Sequence, residues 1–556
     1  MRGKAGIWML LLGGLSLAAA AQGAGGRHEQ FSRKAAKGPV LKPLCATFFG
    51  GPGAEEFVSV GVQPDGTLVA VGNTWGPDLK IEPAPFVLGK GEWYKVNEFK
   101  GGDPIFVRQT KTGVVEEAAP LDPDYPNRAG LIVRFSADAR KVLDLVRFDW
   151  GVASIESALV APDGGILIHG RATAHFEAWA KGAPSFQTAP KPDDPKAGEY
   201  SYQKLFFPGD VYVARLSPDG RKPEWVWLLK GHKELSKLFW GPEGSVVFKS
   251  FGVKRISGDG KTLTPVVFKS KVGGRFLAVN PKDGMMLFGG DHNSGTGREP
   301  WRKPYFNGYD ADGNWLWSIY DWNPGLVGHD DYRLVSDSSV RVATFDHDGN
   351  VMFYGWSDGG NSVFSRHPVD LDKGPKTKHW GISLWGAGVG SFAWLTRFRV
   401  EDFEPLSNMP WCTFLMKEGK DIPNSATVYQ ILALKDGSWV FHGGAASFLV
   451  QTPEPWYKAA EHEGLNYTPG GRGAYIAVFS RDLDHLWFSR AIPGCEIRAM
   501  CETPRGIVIV GRSEGKNREE KPQPSPVLNA WQAEYGGGRY DAHLILLEKP
   551  PVEKAP

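Results

Sequence analysis

Residues 57–74 read FVSVGVQPDGTLVAVGNT, and this stretch contains the unit from which the fold is built. An apolar run reaches a tight turn at Pro64-Asp65-Gly66, and a second apolar run follows at once over residues 68–72. β-Branched residues on both sides of a Gly-centred turn are typical of a β-hairpin. Such hairpins recur along the chain, with turns at residues 64–66, 162–164, 242–244, 282–284, 347–349, 435–437 and 504–506. A recurrence of this kind predicts a repeat architecture.

Each hairpin supplies two strands, a and b, and two further apolar runs, c and d, follow it. In the fifth repeat, strand d is predicted at residues 411–415. The last repeat has no strand d downstream, whereas a spare apolar run, residues 44–49, precedes the first repeat. Pairing the spare run with the last repeat would close a ring and remove an unpaired sheet edge. The shortest repeat, from Gly244 to Gly284, spans 40 residues, which is the usual length of a four-stranded propeller blade.

The chain is therefore predicted to be all-β, with one seven-bladed β-propeller over residues 40–549 whose ring is closed by the N-terminal strand completing the last blade. Residues 1–21 have the basic start, apolar centre and small-residue end of a signal peptide. Residues 22–39 are predicted to be a linker and residues 550–556 a disordered tail. The leader predicts a secreted or periplasmic protein that has no integral membrane segment after cleavage, and a monomer is expected.

The overall charge excludes one class of partner. Lys and Arg number 64 against 62 Asp and Glu, so the net charge is only +2. A nucleic-acid-binding protein would carry a clear basic excess, so no nucleic-acid partner is expected. The four cysteines match no zinc-site spacing and are expected to be small buried hydrophobes without a disulfide.

Three stretches resemble a known repeat family. Phe48-Phe49-Gly50-Gly51, the acidic pair Glu55-Glu56 and residues 64–74 resemble the unit of bacterial β-propeller-repeat (SBBP-type) proteins, which has Gly-Gly after an aromatic strand, an acidic pair, a turn and a Gly-x-Thr ending. Residues 212–220 and 475–480 are similar to the strand that follows in that unit. The resemblance implies a propeller fold and an exported protein. It implies no activity, because members of the family share none.

Long insertions are predicted to gather on one face of the ring. In a propeller, the b–c and d–a connections emerge on one face, here called the loop face, and the a–b and c–d turns on the other, the turn face. The long connections lie between b and c or between d and a, and loops collected on a rigid scaffold are common binding sites. Exposed aromatic residues there could stack on sugar rings or anchor a protein. The candidates for binding are Trp75, Trp301, Trp322 and Trp356. Tryptophans on strand d, such as Trp225, Trp315 and Trp487, are instead expected to pack between blades.

A polar cluster is predicted on the same face at blades 4 and 5. Its members leave the ends of strand b or lie in the connection between these two blades: Asp291, His292, His329, Asp330, Asp331 and Asp358. Imidazole and carboxylate groups can bind a divalent metal or act as acid and base. His292, His329 and Asp330 are the candidate metal ligands, and a divalent metal is the one cofactor that the sequence suggests. No catalytic residue can be assigned from a known motif.

Two functions remain open at this stage. The first is a non-enzymatic exported scaffold that binds a protein or a glycan through its loop face. The alternative is a hydrolase or lyase acting on polysaccharide, with a His/Asp site at blades 4 and 5. An enzyme requires several titratable groups to converge in one pocket, whereas a binding scaffold requires exposed aromatic residues around the channel.

Overall fold

A computed structural model provides the structure of the protein. It describes residues 41–75, 79, 81–89, 107–109, 115–117, 129–149, 152–172, 176–180, 183–187, 210–230, 236–250, 252–269, 274–295, 297, 299–332, 334–359, 361–373, 392–411, 413–417, 420–424, 426–445, 474–492, 494–514, 525–537 and 540–550. The predicted signal peptide and linker, and residues 551–556 of the predicted tail, lie outside these ranges.

Seven small antiparallel sheets form a ring, which confirms the seven-bladed β-propeller. Each sheet runs from strand a at the centre to strand d at the outside. The strands of blades 1 to 3, in the order a to d, are Glu55–Val62, Leu68–Thr74, Ala129–Phe135 and Val142–Phe148; Ser157–Val160, Ile166–Ala172, Asp210–Leu216 and Pro223–Leu229; and Phe239–Trp240, Val246–Lys249, Val253–Ile256 and Leu263–Val266.

Blades 4 to 7 repeat the same order. Their strands are Phe276–Val279, Met286–Asn293, Arg302–Tyr309 and Trp315–Ile319; Ser338–Phe345, Val351–Ser357, Phe392–Phe398 and Pro405–Trp411; Ala426–Ala433, Trp439–Ala445, Ala474–Phe479 and Leu486–Ile492; and Cys495–Glu502, Gly506–Ser513, Asp541–Glu548 and Pro43–Phe49. Strand d of blade 7 is thus the N-terminal strand, as predicted. Its register places Thr47 opposite Leu544 and Phe49 opposite Ala542.

In the part of the chain that the structure describes, few elements lie outside the blades. Strands Phe86–Leu88 and Ser185–Gln187 add a parallel outer edge to blades 1 and 2, and Val107–Gln109 and Val115–Glu117 form a separate hairpin. The short helices are α1 (Phe176–Ala180) and α2 (Pro324–Val327), with 3-10 turns at Pro242–Gly244 and Val363–Ser365. Among the described residues, no helix is long and apolar enough to cross a membrane.

The prediction for strand d of blade 5 was wrong. The strand is Pro405–Trp411 instead of residues 411–415, because the c–d turn closes earlier, where Arg399 pairs with Asp402 at 2.6 Å. Strand Thr413–Lys417 belongs to an outer hairpin with Lys420–Asn424. The apolar β pattern of both runs is similar, and only the early turn decides which of them pairs with the blade.

Repeated glycines near the end of strand b have a common packing role. Strand a contains a β-bulge near its start in blades 1, 6 and 7, opposite Gly72, Gly443 and Gly511. A Cβ on any of these glycines would lie only 1.7–1.8 Å from a carbonyl oxygen of strand a. The bulge therefore requires glycine at this position, since no side chain fits between the two backbones.

The cores lie between neighbouring blades. Val69 and Val71 of blade 1 pack with Ile166 and Ile168 of blade 2, and all four are buried. Trp225 and Trp487 on strand d are buried as predicted, but Trp315 is 53% exposed, which corrects the prediction for that residue. Trp315 is the first residue of a short outermost strand and sits next to a bulge at Gly308/Tyr309. Each core therefore depends on two blades at once.

Candidate functional site

The predicted cluster at blades 4 and 5 is dispersed into separate local contacts. Asp291, near the end of strand b of blade 4, accepts a hydrogen bond from Ser339 Oγ at 2.6 Å and pairs with Arg275 Nη2 at 2.8 Å. Its side chain is only 8% exposed. Asp291 therefore links blade 4 to strand a of blade 5, and its negative charge is balanced by Arg275, which precedes strand a of blade 4.

The two histidines of the cluster have different surroundings. His292 is exposed and stacks on Tyr305, with ring centroids 3.9 Å apart. His329 lies beyond helix α2 and contacts Asp331, with its Nδ1 3.3 Å from Asp331 Oδ2. His329 and Asp331 are both well exposed, as is Asp330. Each ring is thus held by its own neighbour along the surface.

Asp358 has a second carboxylate as its neighbour. Its peptide N–H donates to the carbonyl of Asp337 at 3.1 Å. Loss of hydration and the negative charge of Asp337 raise the pKa of Asp358. Two carboxylates at the end of one hairpin make this corner of the loop face acidic.

The candidate metal ligands are not brought together. Within the ranges that the structure describes, no group of three or more His, Cys, Asp and Glu side chains is arranged to hold a metal ion. His292, His329 and Asp330 are all described, and they do not form such a group. His292 lies on strand b of blade 4, whereas His329 and Asp330 lie in the connection between blades 4 and 5.

The candidate aromatic residues also separate into different roles. Trp75 is 2% exposed and packs against Tyr540 and Ala54 in a small core, so it is not available to a ligand. Trp322 is half-buried against the core between blades 4 and 5. Trp301 is 46% exposed, and its Nε1 donates to Glu299 at 2.7 Å. Trp356 is half-buried at the end of strand b of blade 5, where it faces the channel.

A cavity of about 690 Å³ occupies the loop-face half of the central channel. The start of strand a in blades 4 and 6, strand a of blade 5 and the residues leading into blade 3 form its wall. The side chains that give the wall its chemical character are Lys237, Phe239, Arg341, Tyr354, Trp356, Tyr429 and Gln430. A concave site with aromatic walls and a few polar groups is the usual form of a small-ligand site.

The charge on this wall is positive. Arg341 and Lys237 are the charged residues among those that line the cavity in the described ranges. The guanidinium of Arg341 lies over Trp356, 5.6 Å from the ring centre, which positions both groups by a cation–π contact. Burial raises the pKa of Tyr354 to about 12, so this phenol stays protonated. Loss of hydration lowers the pKa of Lys237. The wall therefore combines the guanidinium of Arg341, the amine of Lys237, a neutral phenol and exposed ring surface.

Tyr429 is the most exposed aromatic residue on the wall. It is 59% exposed, although it sits on the innermost strand of blade 6. The β-bulge between Val428 and Gln430 leaves Tyr429 unpaired in the ladder and turns it toward the channel. Behind it, His442 is buried, and burial together with the charge of Lys237 lowers the pKa of His442 to about 3.

Sequence reasoning predicted Trp356 but missed Arg341, Lys237 and Tyr429. One signal for Arg341 was present: it is a lone charge inside the apolar inner strand Ser338–Phe345, where a charged side chain must face water in the channel. Lys237 and Tyr429 gave no such signal, because their positions depend on the approach to blade 3 and on a bulge in blade 6.

A second cavity, of about 730 Å³, lies at the turn-face end of the channel. The tight turns form its wall, including Pro64, Pro162 and Pro504, with Trp240 as its aromatic residue. This wall is built from the short repeated turns of the scaffold. The loop-face cavity differs in that its wall carries side chains specific to individual blades.

Comparisons with known proteins find only distant structural neighbours. No protein-family model and no curated protein matches the chain. Among solved structures, a protein of unknown function from Dyadobacter fermentans is 12% identical, with a TM-score of 0.34 over 92% of this chain and 100% of that one. Hydrazine synthase of Kuenenia stuttgartiensis is 12% identical, with a TM-score of 0.30 over 73% and 94%. An ulvan lyase of the PL25 family, solved with a -[GlcA(1-4)Rha3S]- ligand, is 9% identical, with a TM-score of 0.35 over 84% and 92%.

Proposed function

We propose that this protein is an exported propeller that binds an acidic glycan in the loop-face cavity without chemically changing it. The observation that carries the proposal is the wall of that cavity, where Arg341 lies over Trp356 and Tyr429 is exposed nearby. Aromatic rings offer flat apolar surfaces to sugar rings, and Arg binds carboxylate or sulfate oxygens with paired hydrogen bonds.

The charge of the wall favours an anionic sugar over a neutral one. No Asp or Glu is among the described residues that line the cavity, and no salt bridge of Arg341 is found in the described ranges. The carboxylate whose charge acts on Arg341 is that of Asp291, which is already paired with Arg275. An acidic sugar would therefore provide the counter-charge that the wall lacks.

A polysaccharide-cleaving enzyme is the weaker alternative. Acid–base cleavage of a glycan needs titratable groups that can exchange protons near neutral pH within reach of the sugar. The His and Asp residues predicted for this role lie in separate surface contacts, and the phenol of Tyr354 has a pKa raised to about 12 by burial. These features support binding over catalysis.

Calorimetric titration with matched oligosaccharides tests this function. Acidic oligosaccharides should bind the wild-type protein, and neutral ones of equal length should bind it clearly more weakly. The Arg341→Gln variant should weaken binding of the acidic ligand about tenfold or more, because a hydrogen bond to a charged group contributes roughly 1.5–3 kcal/mol. Tyr429→Ala should weaken acidic and neutral ligands alike, since stacking does not depend on charge.

The control is Trp315→Ala, which removes an exposed tryptophan from an outer strand remote from the channel. Its affinities should equal those of the wild type. Equal affinity of Arg341→Gln and wild type for every acidic glycan tested would refute the site. Release of shortened oligosaccharides by the wild-type protein would favour the enzyme alternative.

A further inference from the structure

Two carboxylates face each other in the interior where the ring closes. Glu55 begins strand a of blade 1, and Asp541 begins strand c of blade 7, and both residues are 0% exposed. Oδ1 of Asp541 and Oε2 of Glu55 lie 2.6 Å and 2.8 Å from the point where a Cβ on Gly50 would be. The two side chains are therefore neighbours across Gly50, and a methyl group at that position would collide with both.

Neutral groups make the hydrogen bonds to this pair. Oε2 of Glu55 accepts from the peptide N–H of Gly51 at 3.0 Å, and Oε1 accepts from the hydroxyl of Thr74 at 2.8 Å. Oδ2 of Asp541 accepts from the peptide N–H of Gly536 at 2.7 Å. Oδ1 of Asp541 is buried and has no hydrogen-bond partner. One oxygen of the pair is thus left without a donor while a second carboxylate lies nearby.

The arginines nearby are already matched with other acids. Arg512 contacts Glu496 at 2.8 Å and Glu56 at 3.3 Å. Arg498 contacts Glu496 at 3.1 Å and Glu56 at 3.6 Å. This network contains two cations and two anions, so it is balanced without Glu55 and Asp541. The buried pair therefore needs either a bound cation or a shared proton, because an uncompensated carboxylate in a low-dielectric interior costs several kcal/mol.

We propose that Glu55 and Asp541 bind a hard cation, Ca²⁺, between blades 1 and 7 at the point of ring closure. The donors are all oxygen atoms, which select Ca²⁺, Mg²⁺ or Mn²⁺ over metals that prefer sulfur or nitrogen. Ca²⁺ accepts irregular ligand geometry and carbonyl oxygens, whereas Mg²⁺ demands a near-ideal octahedron. One backbone carbonyl, that of Gly50, is also close by, because its oxygen lies 2.7 Å from the point where a Cβ on Gly536 would be.

Such an ion would connect segments that are distant in the sequence. Asp541 belongs to the last blade, Glu55 to the first, and Gly50 follows the N-terminal strand that completes the ring. Binding of an ion to the closed ring alone would stabilise closure by mass action. This role is independent of the glycan cavity, which lies among blades 3 to 6.

Terbium luminescence tests the site on the full chain. Tb³⁺ occupies Ca²⁺ sites and emits when an adjacent indole or phenol is excited. Trp75 directly follows Thr74, Tyr540 directly precedes Asp541, and their rings pack with centroids 5.6 Å apart. The metal-free wild-type protein should give sensitised Tb³⁺ emission that saturates at one ion per chain and is displaced by Ca²⁺.

Charge-removing variants identify the ligands. Glu55→Gln and Asp541→Asn keep the side-chain size and should each lower the sensitised emission at least tenfold. Glu514→Gln, which alters an exposed carboxylate just after strand b of blade 7, should leave it unchanged. Unchanged emission in both charge-removing variants would overturn the site, as would the absence of saturable emission in the wild type.

Thermal melting provides a second readout if the variants do not fold. Ca²⁺ added to chelator-treated wild-type protein should raise Tm by a few degrees, and excess chelator should reverse the shift. The competing explanation is that the two carboxylates share a proton. In that case Tm would depend on pH and not on Ca²⁺ at any pH, and this result would overturn the proposal.

Discussion

His169 shows how one side chain can make stability depend on pH. The residue is 2% exposed on strand b of blade 2, and neither ring nitrogen has a hydrogen-bond partner. Burial lowers its pKa from 6.5 to about 4. Between these values the unfolded chain binds a proton that the folded chain does not bind. The stability from the neutral ring is therefore complete above pH 6.5 and is lost as the pH falls toward 4.

Replacing His169 should reduce the acid sensitivity of the fold. The free energy of unfolding should fall between pH 7.5 and pH 5 in the wild type. We expect this fall to be smaller by roughly 1–2 kcal/mol in the His169→Leu variant. Denaturant unfolding at the two pH values measures this difference. Burial also lowers the pKa of His543 to about 4, so some sensitivity should remain. His347→Gln, at an exposed turn position, is the control, and an equal loss in that variant would contradict the assignment.

At the scale of the element, two turns share a sequence pattern, but only one of them also binds a buried arginine. Residues 310–314 and 346–350 both read Asp-x-Asp-Gly-Asn. In each turn the first Asp accepts from two backbone N–H groups and from the Asn side chain. Asp346 also binds Arg397 through Nε at 3.1 Å and Nη2 at 2.9 Å, with both side chains nearly buried.

Comparing the two turns separates the contribution of turn hydrogen bonds to stability from that of the buried ion pair. Asp310→Ala should cost on the order of 1 kcal/mol, the value of lost turn hydrogen bonds. Asp346→Ala should cost clearly more, up to about 3–5 kcal/mol, because it also leaves the buried Arg397 with only the more distant carboxylate of Asp482, at 3.8 Å. Chemical denaturation of both variants gives the two values. Equal costs would show that the ion pair adds nothing beyond the turn.

Elements with local causes were predictable from the sequence, and contacts between distant segments were not. The turn at Pro64-Asp65-Gly66 is encoded locally, since Gly66 has φ +87° and Asp65 accepts from Thr67 N–H at 2.8 Å. Trp75 appeared to belong to an exposed loop, but it is buried by Tyr540 from the other end of the chain. Trp356 was identified because it follows the glycine at the end of the repeated strand b. Arg341 acquires its role only because strand a of blade 5 lines the channel.

The polar residues predicted to cluster at blades 4 and 5 are separated for the same reason, because their partners come from other strands and blades. Adjacent blades bring Asp291 next to Ser339, a partner that sequence spacing did not indicate. His292 packs on Tyr305 of the neighbouring strand within its own blade. Polar residues at the ends of strands find partners across a blade or a blade interface, so shared position on one face does not make them a common site.

At the scale of the whole molecule, stability depends on closing the ring. The N-terminal strand Pro43–Phe49 buries Cys45 and Phe49 completely. Phe49 packs on Phe57 of blade 1 at 5.3 Å and on Trp531 at 5.8 Å, so the strand joins the core between blades 7 and 1. Without it, strand Asp541–Glu548 would become an open edge prone to pairing with other chains.

Deleting residues 41–50 should therefore give a protein that is insoluble or melts far below the full chain. The single change Phe49→Ala is a milder form of the same test and should cost about 3–5 kcal/mol, the usual cost of removing a buried Phe side chain. Thermal melting and size-exclusion chromatography measure both effects. A truncation of residues 22–39 that retains the N-terminal strand is the matched control. The contrary result would be a protein lacking residues 41–50 that has the melting temperature of the full chain and remains monodisperse. In that case, pairing between the two ends of the chain would not be required to keep the ring closed.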